Sequence, residues 1–342
     1  MNPRFAASLG TSVLLTSAIA MLFPAGLHAE SAKQSPAEIV SVKKIWDQAG
    51  HNAFTDLIRF QGKWLCTFRE ADGHVKGDGR LRVIASADGE KWESTALLAE
   101  EGIDLRDPKV SIMPDGRLMI VAGGSVYRKG KFIGRQPRVA FSKDARQWTP
   151  TQRVLSEGEW LWRVTWHDGK AYGVSYNSDY WKKTKKPCQT LFVSSDGVQY
   201  DKICTLDVTA YAGETTVRFQ PDGTMIALVR RESDDRHAWI GTSKSPYTNW
   251  TWHDTGHHVG GPNFIILPDG SMWAGGRSYT GKAKTALAKM TPTSYEPVLT
   301  LPSGGDTSYP GFVYHDNLLW MSYYASHEGK TSIYLARIRL KP

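Results

Sequence analysis

Beyond the first thirty residues, the apolar positions fall in short runs bounded by polar turn residues, as in Trp64-Leu65-Cys66-Thr67-Phe68 and Ala227-Leu228-Val229. Such runs read as strands, and no helix signal longer than a turn follows the first thirty residues. One unit recurs: an apolar strand, a tight turn and a second strand. The turns are Gln61-Gly62, Asp115-Gly116, Asp168-Gly169, Asp222-Gly223, Asp269-Gly270 and Asp316-Asn317, and their second residues lie 54, 53, 54, 47 and 47 positions apart. Asp-Gly between apolar runs is a hairpin signal, because glycine enters positive φ without a Cβ clash. A period of this length marks a repeat architecture. The expectation is an all-β, six-bladed β-propeller.

A second signature follows the third strand of several units: Ser86-Ala87-Asp88-Gly89-Glu90-Lys91-Trp92, Ser142-Lys143-Asp144-Ala145-Arg146-Gln147-Trp148 and Ser194-Ser195-Asp196-Gly197-Val198-Gln199-Tyr200. The aspartate bonds its own turn backbone and the aromatic packs between blades, so the role is structural. The last unit offers only three strands, 311–315, 319–324 and 332–339. Segment 39–46 is expected to supply the fourth, which closes the ring and removes an unpaired edge.

The opening residues change the compartment. Arg4, an apolar stretch over 14–23 and Leu27-His28-Ala29 read as a signal peptide over 1–29, leaving a propeller over 30–342 in a periplasmic or secreted protein. The stretch is short for a membrane span, which needs about 20 residues. Of three cysteines, Cys66 reads as a buried thiol, while Cys188 and Cys204 flank one strand pair and could bridge in an oxidising compartment. No Cys/His spacing suggests a metal site, no cofactor is expected, and no nucleic-acid module is visible. The formal charge of +8 lies partly in Lys182-Lys183-Thr184-Lys185-Lys186, read as a solvated loop. The mature protein is expected to be a monomer.

Strand direction narrows the site. With the tight turns on one face, first-strand starts and second-strand ends surround the axis on the other. They hold His51, Asp56, Arg106, Asp107, Arg163, Glu214, Asn263, Asp306 and Tyr309, then Arg69, Glu70, His74, Asp78, Arg230, Arg231, Arg277 and Tyr324. Converging Arg, carboxylate and Tyr suit an anionic, hydroxyl-rich ligand.

In its Asp-box turns and its blade order the chain resembles the sialidase (neuraminidase) superfamily. Gly213-Glu214-Thr215-Thr216-Val217 followed by Ala227-Leu228-Val229-Arg230-Arg231 looks like the blade supplying a catalytic Glu and then an Arg. Ser308-Tyr309-Pro310-Gly311-Phe312 looks like the last blade, which supplies a Tyr nucleophile. The resemblance implies a retaining exo-glycosidase acting on a terminal, acidic sugar of a glycan, with Tyr309 as nucleophile and Glu214 as its base. Tyrosine is a known exception to the usual carboxylate pair. It implies an acid on the loop after the first blade's second strand, where Asp78 is first choice and Glu70 and Asp56 compete. Arg69, Glu70, His74, Asp56, Arg106, Asp107, Arg163, Arg230, Arg231, Asn263, Arg277 and Tyr324 are assigned to substrate binding. The family's Arg-Ile-Pro opening is replaced by His51-Asn52-Ala53-Phe54. That departure leaves a lyase or His-assisted glycosidase using His51, His74 or His327 as an alternative. A carbohydrate-binding propeller stacking sugars on Trp160, Trp162 or Trp181 is another.

Overall fold

The computed structural model describes residues 35–75 and 77–341. The expected signal peptide lies outside them. Six four-stranded antiparallel sheets follow one another along the chain, a six-bladed β-propeller. Blades 1 to 5 cover 51–98, 103–153, 160–205, 212–254 and 259–300, each with its strands in chain order from the axis outward. Blade 6 combines 307–340 with the strand Ala37–Trp46, which pairs with Ser332–Leu340 from Ala37↔Leu340 to Trp46↔Ile333. The ring therefore closes as expected, with the N-terminal strand as outer edge of the last blade. The indole of Trp46 also donates to Glu70 Oε1 at 2.7 Å, tying the clasp to blade 1.

The six predicted turns all join first to second strands, by two geometries. Gln61-Gly62, Asp168-Gly169 and Asp316-Asn317 carry positive φ at both residues, the form that matches strand twist. In the other three only the glycine is left-handed, and its N–H closes a wider turn, as Gly116 does on Met113 O at 2.9 Å. The Asp-box turns are built as expected. Asp88 Oδ1 accepts the Glu90 and Lys91 amides at 2.8 and 3.0 Å, and these bonds hold its carboxyl down at about 2. Apolar side chains fill the seams between blades. Trp64 and Trp320 meet with centroids 4.1 Å apart where blade 6 adjoins blade 1.

Two expectations are corrected. Ser178–Thr184 is a two-turn helix, capped by Asn177 Oδ1 on the Tyr180 amide, and it uses part of the lysine run read as a loop. Cys188 and Cys204 are not bridged: each thiol donates to a carbonyl of a different segment, Ala212 O and Tyr247 O.

One feature repeats in every blade. Each inner strand carries an extra residue near its start, with register shifts at 53/56, 106/109, 161/164, 212/215, 260/263 and 308/311. Such bulges re-aim side chains. Three contain an X-Pro pair whose first residue has positive φ: Asp107-Pro108, Gly261-Pro262 and Tyr309-Pro310. Proline has no N–H to give the ladder, so a bulge is where an inner strand accommodates it. These bulges bring Asp107, Glu214 and Tyr309 into one charged group at the axis.

Candidate active site

Tyr309 and Glu214 come from blades 6 and 4, and Tyr309 Oη donates to Glu214 Oε1 at 2.7 Å. The other carboxylate oxygen accepts Arg230 Nη1 at 2.6 Å and the Gly261 amide at 3.0 Å. Arg230 Nη1 also lies 3.4 Å from Tyr309 Oη and is paired through Nε with Glu232. Burial, with the Glu214 charge beside it, holds the Tyr309 phenol well above its ordinary value, so the hydroxyl rests neutral. The backbone is strained here, with φ of 126° at Ser308 and 24° at Tyr309. Trp162 meets the Tyr309 ring edge to face, with centroids 5.2 Å apart. A cavity of about 340 Å³ opens over Glu214 and Arg230, walled by Tyr176, Tyr211 and Glu232.

A second cluster adjoins the first. Asp306 accepts Tyr324 Oη at 3.1 Å and Arg277 Nη2 at 3.3 Å on one oxygen, and faces His51 Nε2 at 2.9 Å and His74 Nδ1 at 2.6 Å on the other. Burial opposes its charge, yet the two imidazoles and Arg277 outweigh that and hold the carboxyl well below its ordinary range. The three donor atoms of His51, His74 and Asp306 lie within 4.8 Å of one another. The hydrogen bonds already account for that proximity. Arg277 reaches back to within 5.9 Å of the Tyr309 ring centre, and Arg106 lies 5.2 Å from the ring centre of Phe54, which packs on Tyr309. Arg230 and Arg277 thus lie beside the Tyr309 ring, with Arg106 one ring further out, over Phe54. Asp107, beside Arg106, is buried with its Oδ1 unpartnered. Burial pushes its carboxyl up against the pull of Arg106 and Lys109.

Several residues assigned to substrate binding are occupied elsewhere. Arg69 is fully buried on Asp104 Oδ1 at 2.8 Å and Gly73 O, beneath the site. Glu70 turns between blade and clasp, bonding Arg82 and Trp46. Arg231 points outward to Asp235 and His237 O, with its guanidinium over Trp239, because consecutive strand residues face opposite sides. Asp78, the first choice for the acid rather than a binding residue, is exposed and accepts the Asp72 amide of its own loop. Asp56 and Asn263 directly follow their bulges and Arg163 lies within its own, and all three line a different cavity, toward the tight turns. Trp160 and Trp162 are buried, and Trp181 lies against Tyr211, so none of the first two offers a sugar-stacking face.

Fold and site together define a six-bladed propeller with a buried Tyr–Glu–Arg cluster at its axis. No family model matches the chain, and no curated protein matches it. Among solved structures it is similar to a protein of unknown function from Dyadobacter fermentans (17% identity, TM-score 0.79), covering 90% of this chain and 100% of that one. It is also similar to the Trypanosoma rangeli sialidase in complex with the inhibitor DANA (12%, TM-score 0.67, 89% of this chain) and spans 60% of that enzyme's length. A third is the Penicillium chrysogenum alpha-L-arabinanase complexed with arabinobiose (13%, TM-score 0.67), with 87% and 98% covered. At these identities the likeness establishes the fold. Among the described residues no helix is long and apolar enough to cross a membrane.

Proposed function

We propose that the protein is an exported retaining glycoside hydrolase that removes a terminal acidic sugar, with Tyr309 as nucleophile and Glu214 as its base. The buried 2.7 Å bond from Tyr309 Oη to Glu214 Oε1 carries this reading. A neutral phenol can approach an anomeric carbon that bears a carboxylate, where a carboxylate nucleophile would be repelled. An unaided phenol ionises near pH ~10, and this one higher still, so it needs the adjoining base. In the first step Oη bonds to the anomeric carbon, its proton passes to Glu214 Oε1, and the departing glycosidic oxygen takes a proton from an acid. Water then cleaves the tyrosyl glycoside. Arg230, Arg277 and Arg106 supply positive charge for the sugar carboxylate. For the acid, Asp78 has the loop position and Asp107 has the buried, protonation-prone carboxyl.

The similarity to an arabinanase as well as a sialidase motivates a panel of fluorogenic glycosides: sialoside, uronide and arabinofuranoside. Hydrolysis of an acidic glycoside that falls by about 10³-fold or more in Tyr309→Phe, with the melting temperature kept within a few degrees, is expected. A Tyr309→Phe variant with full turnover would refute the nucleophile, and turnover of the neutral arabinofuranoside alone would refute the acidic substrate.

A further inference from the structure

At the other end of the axis, past the bulges, a cavity of about 250 Å³ is lined from all six blades. Its polar wall is Asp56, Ser111, Arg163, Thr165, Arg218 and Asn263. Arg163 is only 5% exposed. Its Nη1 bonds Asp56 Oδ2 at 2.8 Å, while its Nε is buried without a partner. The Arg218 guanidinium donates to Thr165 Oγ1 at 2.7 Å, Val217 O at 3.0 Å and Asn263 Oδ1 at 3.1 Å, and none of these partners is a carboxylate. Asp56 is the one carboxylate of the lining, and its Oδ2 is already shared with the Val110 amide at 2.9 Å. The buried ammonium of Lys109 adds a third cation nearby, donating to Thr55 O at 3.2 Å.

Two guanidiniums thus share one acid, Arg163 buried and Arg218 half-buried, while the Lys109 ammonium is faced by Asp107 and Glu214 as well as Asp56, and uncompensated charge held out of water is costly. The tension is visible in both neighbours of Arg163. Burial and then Arg163 lower Arg218 to about 9, and the same two causes lower Lys109 to about 8. A small anion would relieve it.

The geometry points to a binding site for a small inorganic anion, a halide or a phosphate-sized oxyanion, held between Arg163 and Arg218 on the turn-side mouth of the propeller axis. It shares no lining residue with the cavity over Glu214. Drawing on strands of different blades, the ion acts as a ligand of the folded ring alone, which stabilises it by mass action.

Bromide serves as the probe, titrated against gluconate at constant ionic strength in thermal melts. The melting temperature is expected to rise saturably, by about 2 °C at tenfold the dissociation constant. In Arg218→Gln the saturable part should vanish. Crystals soaked in bromide should show an anomalous peak between Arg163 and Arg218, a readout that stands even where the variant fails to fold. A melting temperature indifferent to bromide, an equal response in Arg218→Gln, or a cavity without bromide density would overturn the site.

Discussion

Gly261 sits under the Tyr309–Glu214 pair, and replacing it with alanine tests the geometry at one atom. Its φ is +62°, a conformation costing an L residue about 1–2 kcal/mol. A Cβ there would lie 1.9 Å from Cδ1 and 2.3 Å from Cε1 of Tyr309. Carbon atoms rest about 3.5–4.0 Å apart, so the ring must retreat by roughly 1.5–2 Å. That retreat is incompatible with a 2.7 Å bond to Glu214, and overpacking of this kind costs about 1–3 kcal/mol. Gly261→Ala should therefore lose about 2–5 kcal/mol, lowering the melting temperature by roughly 3–8 °C. With Tyr309 as the proposed nucleophile, its displacement should cut kcat by about 10²-fold. Gly213→Ala is the matched control: the position adjoins Glu214, yet a Cβ there meets nothing within 4 Å. Differential calorimetry on both variants, with turnover of the best glycoside, reads the result. Wild-type stability and rate in Gly261→Ala, or equal damage in both, would refute the packing argument.

Asp306→Asn should be about 2 kcal/mol less stable at pH 7, since its charge receives hydrogen bonds from Tyr324, Arg277 and the histidines. The folded carboxyl titrates below its ordinary 3.8, so its contribution is full above that value and is lost as pH falls through the depressed one. Urea melts should accordingly show the gap between variant and wild type closing below about pH 3.8, and a gap that widens on acidification would contradict the hub. Denatured without reductant, the protein should react with three equivalents of a thiol reagent, from Cys66, Cys188 and Cys204; a titre of one would mean a bridge. If Asp107 is the acid, Asp107→Asn should slow glycosides with poor leaving groups by about 10²–10⁴-fold and spare activated aryl glycosides, with Asp78→Asn near wild type. The reverse pattern would assign the acid to Asp78.

Much of this molecule is local, and what is local was legible. The Asp-Gly turns and the Ser-x-Asp turns close on their own backbone within a few residues, so their chemistry is written in adjacent letters. Blade number follows from their spacing, and the strand deficit in the last unit calls for a clasp. Tyr309 and Glu214 were legible through their neighbours, Pro310 and the paired arginines. Arg231 shows the limit. It stands beside Arg230 in the chain, but alternation along a strand sends it to Asp235 on the opposite side. The bulges had a partial signal in Asp107-Pro108, Gly261-Pro262 and Tyr309-Pro310, whereas those in blades 1, 3 and 4 contain no proline.

The repeat alone therefore determined the architecture, because hairpin turns and strand alternation are short-range and each blade repeats them. Tertiary structure alone decided which charged side chains meet. Asp306 gathers His51, His74, Arg277 and Tyr324 from as far as 255 residues away, and Asp56 pairs with Arg163 across 107 residues. A one-residue bulge near the start of each inner strand sets whether a side chain faces one mouth of the axis or the other. That displacement depends on how six blades crowd around a common centre, and no local pattern specifies it.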